Sequence, residues 1–115
     1  MPADETRIKP AGRHCRRVTR GGEGIYQCLA EVTIQNKRGL HARASALFVR
    51  TAERFDAEVS VTKDGQTVSG ASIMSLLMLA ATPGSTILIE TEGPDADEAL
   101  EALTTLVEAR FNEGE

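Results

Sequence analysis

Aromatic residues are nearly missing from this chain: one Tyr, three Phe and no Trp in 115 residues. Any core must therefore be aliphatic and alanine-rich, and recognition of nucleic acid by base stacking, which needs exposed rings, is argued against. No apolar run approaches the ~20 residues of a membrane-spanning helix. The N-terminal arginines are not followed by the apolar stretch of a secretory signal. The expectation is a cytoplasmic protein without membrane contact. Cysteine is scarce too. Cys15 and Cys28 match no zinc or redox spacing, although His14 adjoins Cys15, and a metal site needs three or four convergent ligands. The pair is read as two ordinary thiols, with no metal and no cofactor expected.

Charge is present but unevenly placed. Residues 1–28 hold six basic against three acidic groups, a balance of +3, and the remainder holds seven against fourteen, or −7, which gives the net −4. The acidic part would be repelled by a phosphate backbone, so no nucleic-acid partner is expected. The length suffices for one domain with one modest core. Residues 1–25 lack apolar periodicity and run into Gly21-Gly22-Glu23-Gly24, which reads as a flexible basic tail ahead of a domain over 26–115.

From Tyr26 to Ile34, Ala30, Val32 and Ile34 alternate with polar residues, the period of a half-buried strand. Asn36-Lys-Arg-Gly39 breaks it. A helix follows from about Ala42 to Arg54, with Ser45, Phe48, Val49 and Ala52 in one stripe and Phe55 closing its end. Glu58–Lys63 alternates again, Asp64-Gly65 is a tight hairpin turn, and Gln66–Ser69 is the return strand. Ser72 is placed to cap a short helix, Ile73 to Ala81, that is apolar almost all round, so part of it should face outward. Ser85–Thr91 reads as a central strand. Asp95-Ala-Asp-Glu98 reads as a capping box opening a final helix with Ala96, Ala99, Leu100, Leu103, Leu106 and Val107 on its apolar face. The order β-α-β-β-α-β-α predicts an α+β domain with helices on one face of an antiparallel sheet.

The chemistry concentrates at Gly39-Leu-His41-Ala-Arg43. His41 stands at the mouth of a helix, whose first N–H groups lack intrahelical partners and attract anions. Arg43 can pair two phosphate oxygens. A neutral imidazole nitrogen inside such a site is a nucleophile, and a phosphoryl group taken onto it would face those N–H groups and Arg43. Reversible phosphorylation of His41 is one reading; a plain anion site, or a solvated loop histidine, is the other. Spacing offers no second acid or base, so no self-contained hydrolase emerges, and Ser45 is expected to pack beneath its helix.

Gly39-Leu40-His41-Ala42-Arg43, then Ser72-Ile73-Met74, then Gly93-x-Asp95 before an acidic-capped helix, resembles the HPr family, the histidine-containing phosphocarriers of the bacterial phosphotransferase system. The resemblance spans about Leu29 to Asn112. It implies an open-faced β-sandwich, a four-stranded antiparallel sheet with three helices on one face. It implies a monomeric phosphoryl carrier rather than a turnover enzyme: His41 accepts a phosphoryl group on Nδ1 from enzyme I, Ala42 and Arg43 help to hold it, and an enzyme IIA-type acceptor takes it in sugar uptake or in nitrogen and metabolic regulation. Partners would dock on Ala42, Leu47, Ile73, Met74, Leu77 and Met78. Ser72 corresponds to the serine modified by HPr kinase/phosphorylase, so a regulatory binding module gated by Ser72 phosphorylation is the alternative role. Two departures stand out: Ala44 replaces the family's usual proline, and Ala71 its frequent lysine.

Overall fold

The computed structural model describes residues 6–9, 13–20 and 23–113. Its elements, in chain order, are β1 (Thr6–Lys9), β2 (Arg13–Arg20), β3 (Glu23–Thr33), α1 (Ala42–Ala52), β4 (Glu58–Lys63), β5 (Gln66–Ser69), α2 (Ile73–Met78), β6 (Thr86–Gly93) and α3 (Ala96–Glu108). A single helical turn, Arg110–Asn112, follows α3. The strands make one sheet in the order β1-β2-β3-β6-β4-β5, every neighbouring pair antiparallel. From β3 onward this is the expected β-α-β-β-α-β-α arrangement.

The period-2 pattern places one face of the sheet under the helices. Ala30 and Val32 of β3, Ile87 and Ile89 of β6, and Val59 and Val61 of β4 are buried there against Phe48 and Val49 of α1, Leu76 of α2, and Leu100, Leu103 and Val107 of α3. Removing these aliphatic side chains from water drives the assembly, at about 1.5–3 kcal/mol for each large side chain fully buried. Leu29 and Glu31 on the opposite face of β3 are exposed, so the sandwich is open on that side. At the hairpin, Asp64 and Gly65 both take positive φ, 51° and 83°, as the two-residue turn demands.

Several expectations need correction. The flexible tail over 1–25 is, wherever it is described, strand: β1 and β2 widen the sheet from four strands to six. Its remaining residues, 1–5, 10–12 and 21–22, lie outside the described residues. Pairing with β3 on one edge and β1 on the other engages the β2 backbone without an apolar stripe, and the inward Arg13, 8% exposed, lies 3.9 Å from both Asp97 and Glu101 of α3. The two ordinary thiols are instead one disulfide, because Cys15 and Cys28 face each other across β2 and β3 with Cα atoms 4.0 Å apart. The capping box at α3 does not form: Asp95 makes no cap bond, and its Oδ2 accepts from the Asp56 N–H at 2.8 Å. Helix α2 stops at Met78 rather than Ala81, since Ala80 turns to positive φ.

Phe111 is fully buried, and it reaches the core from a turn in which Arg110, Phe111 and Asn112 all have positive φ (57°, 53° and 61°). Left-handed backbone costs L-residues about 1–2 kcal/mol each. Burying a phenylalanine ring offsets only part of that. The turn also sets where the following residue, Glu113, points.

Candidate functional site

Local sequence builds the loop between β3 and α1. Gly39 has φ +66°, and a Cβ there would come within 2.5 Å of the Ala81 carbonyl oxygen, so the position requires glycine on both counts. Leu40 N–H donates to that same oxygen at 2.9 Å, which ties the loop to the segment after α2. Asn36 is wholly buried and its amide donates to the Gly39 carbonyl at 2.7 Å. The helix therefore begins at a defined place, with His41 as its N-cap in extended conformation.

His41 caps through its ring. Nδ1 accepts from the Arg43 N–H at 3.3 Å, and the His41 carbonyl accepts the first helical bond, from Ser45 N–H, at 2.8 Å. The other nitrogen, Nε2, lies 2.6 Å from Glu113 Oε2. An ionised carboxylate only accepts, so Nε2 carries the proton and Nδ1 keeps its lone pair. The second carboxylate oxygen of Glu113 accepts from the Asn36 amide at 3.0 Å. Burial alone would raise the Glu113 carboxyl. Hydrogen bonds from His41 and Asn36, aided by the positive charge of Arg43, outweigh burial and hold it below its ordinary value. The Arg43 guanidinium, 63% exposed, stands 3.9 Å from Glu113 Oε2 and is free to swing outward.

The residues expected from sequence thus fall into two groups. His41, Ala42 and Arg43 meet at the mouth of α1. Ser72 lies on α2, where its hydroxyl accepts from the Ser75 N–H at 3.2 Å as the expected N-cap. Of the expected docking residues, Ala42, Ile73, Met74 and Met78 are exposed, both methionines at 69%, while Leu47 and Leu77 are half-buried. Helices α1 and α2 are in contact, so this apolar surface lies beside the helix that His41 caps. Ser45 is buried and donates to the Leu40 carbonyl, a packing role as expected. Sequence reading missed Asn36 and Glu113. Glu113 lies 72 residues from His41, and no spacing rule connects them.

An open-faced β-sandwich whose first helix on the sheet is capped by an imidazole, held from behind by a carboxylate, defines a small α+β domain with one histidine-centred site. The chain matches the family model for the "PTS HPr component phosphorylation site" over residues 29–109. It is 54% identical over 84 residues to the phosphocarrier protein HPr of Neisseria meningitidis serogroup A, covering 73% of this chain and 94% of that one. It is 46% identical over 83 residues to the phosphocarrier protein NPr of Shewanella violacea, covering 72% and 91% respectively. Among solved structures, HPr-C-His from Thermoanaerobacter tengcongensis superposes with a TM-score of 0.73 at 40% identity, covering 76% of this chain and 98% of that one. The chain belongs to the HPr family, the phosphocarriers of the phosphotransferase system. Strands β1 and β2 precede the matched region.

Proposed function

We propose that His41 accepts a phosphoryl group on Nδ1 from enzyme I and passes it to an enzyme IIA-type acceptor, in sugar uptake or in nitrogen and metabolic regulation. The observation that carries this reading is the 2.6 Å contact between Nε2 and Glu113, which leaves the Nδ1 lone pair at the N-terminus of α1. In the transfer, the bond from phosphorus to the donor's phosphorylated group breaks as the bond to Nδ1 forms. The Nε2 proton stays in place, and the ring gains positive charge that the Glu113 carboxylate stabilises. The Arg43 N–H gives up its bond to Nδ1 and faces the phosphoryl oxygens, where the helix dipole favours their charge. Arg43 turns its guanidinium from Glu113 to the same oxygens. Onward transfer reverses these changes, so the protein ends as it began and acts as a carrier rather than a turnover enzyme.

The exposed stretch of Ile73, Met74 and Met78 beside the mouth of α1 supplies an apolar docking surface for both partners. Incubation with enzyme I and labelled phosphoenolpyruvate is expected to give an acid-labile, base-stable phosphoprotein. Labelling of His41→Ala equal to that of the parent would rule the proposal out.

A further inference from the structure

We propose that Cys15 and Cys28 form a reversible dithiol–disulfide site that sets how firmly β1 and β2 are held to the rest of the protein. The family match begins at residue 29, so this bond joins a strand outside the match to the strand that leads into it. The two residues face each other across β2 and β3 and are 1% and 3% exposed. Their surroundings also serve the reduced state. Asp97 Oδ1 lies 3.4 Å from Cys15 Sγ. A disulfide sulfur has no hydrogen to donate, whereas a Cys15 thiol finds this carboxylate already in place as its acceptor. Arg13, beside Asp97 and Glu101, ties β2 to α3 whichever state the sulfurs are in. Reduction therefore loosens the N-terminal strands without releasing them.

The reaction is thiol–disulfide exchange with a small-molecule disulfide. The Cys15–Cys28 bond forms as the disulfide of the reagent breaks, and the two thiol protons leave on the two reagent thiols; excess reagent thiol drives the reverse. Because both sulfurs are buried, exchange requires β2 to lift from β3. The bond closes a loop with a sequence separation of 13 residues. A cross-link of that span suppresses such opening by a factor on the order of a hundred.

The test places the full chain in glutathione/glutathione-disulfide mixtures of graded ratio. A chelator is present to keep metal off the reduced thiols, since the two sulfurs and an Asp97 oxygen lie within 4.8 Å of one another. Intact mass reports the internal bond, and amide hydrogen exchange reports the opening of β2. The expected result is a reversible conversion in which the mixed-disulfide intermediate does not accumulate, with β2 amides exchanging about a hundred-fold faster in the reduced protein. The double variant Cys15→Ser, Cys28→Ser should match the reduced protein, and β6 should be unaffected. Equal β2 exchange in both states, accumulation of glutathione adducts in place of the internal bond, or reduction only when the whole domain unfolds would each overturn the proposal.

Discussion

Replacing Glu113 with Gln isolates what the carboxylate does for His41. The side chain is 7% exposed and bonds His41 Nε2 at 2.6 Å and Asn36 at 3.0 Å. Charge-assisted hydrogen bonds contribute about 1.5–3 kcal/mol each. A glutamine can still accept through its one carbonyl oxygen, so the expected loss near neutral pH is about 1–2 kcal/mol. For a domain of this size that is a fall in Tm of roughly 5–10 °C. The pH dependence carries its own sign. The folded carboxyl sits below its ordinary value of 4.5, so the unfolded chain binds the proton more readily. The stabilisation is therefore full above that value and is lost as pH falls through the lowered folded value. The gap between parent and variant, measured by urea denaturation, should be constant at neutral pH and narrow in acid. Phosphoryl transfer from enzyme I should slow by about ten-fold, since weaker stabilisation of the charged ring raises the barrier by ~1.4 kcal/mol. A variant as stable as the parent at neutral pH, or a gap that does not narrow in acid, would refute the reasoning about the contact. An unchanged transfer rate would refute its role in the chemistry.

Two further outcomes follow from the same geometry. Gly39→Ala places a methyl 2.5 Å from the Ala81 carbonyl oxygen at φ +66°, so the loop must shift. The expected loss is about 1–3 kcal/mol by thermal denaturation, with phosphoryl transfer impaired even at temperatures where the domain is folded. The double variant Met74→Asp, Met78→Asp charges the exposed face of α2 without touching the core, because both side chains are 69% exposed. Stability should stay within about 0.5 kcal/mol of the parent, while titration calorimetry should show enzyme I binding weakened about ten-fold or more.

Much of the domain could be read from residues because periodicity and burial agree there. The alternation of Ala30, Val32 and Ile34 and the stripe of Ser45, Phe48, Val49 and Ala52 each describe a face that meets the core, and Asp64-Gly65 makes the exposed hairpin turn with positive φ at both residues. The place of His41 and Arg43 at the mouth of α1 was legible because helix-end geometry is local. Strand β2 was not. Its inward positions include Arg13 and Cys15, held by an ion pair and a disulfide rather than by an apolar stripe, and both depend on partners distant in sequence. The false capping box at Asp95 has a similar cause: the Asp56 N–H, 39 residues away, competes for the side chain and wins. Glu113 escaped for the strongest version of this reason. It reaches His41 only because three successive residues with positive φ turn the chain after α3, and of Arg-Phe-Asn only the Asn favours that backbone.

His41, at the mouth of α1, presents two ring nitrogens in different settings, Nε2 against Glu113 and Nδ1 at the Arg43 N–H. The most direct test is ¹⁵N–³¹P NMR of ring-labelled protein phosphorylated by enzyme I and phosphoenolpyruvate. Phosphorus coupled to Nδ1 of His41, with Nε2 still protonated, is the predicted result. Phosphorus on Nε2, the nitrogen that Glu113 holds at 2.6 Å, would contradict it.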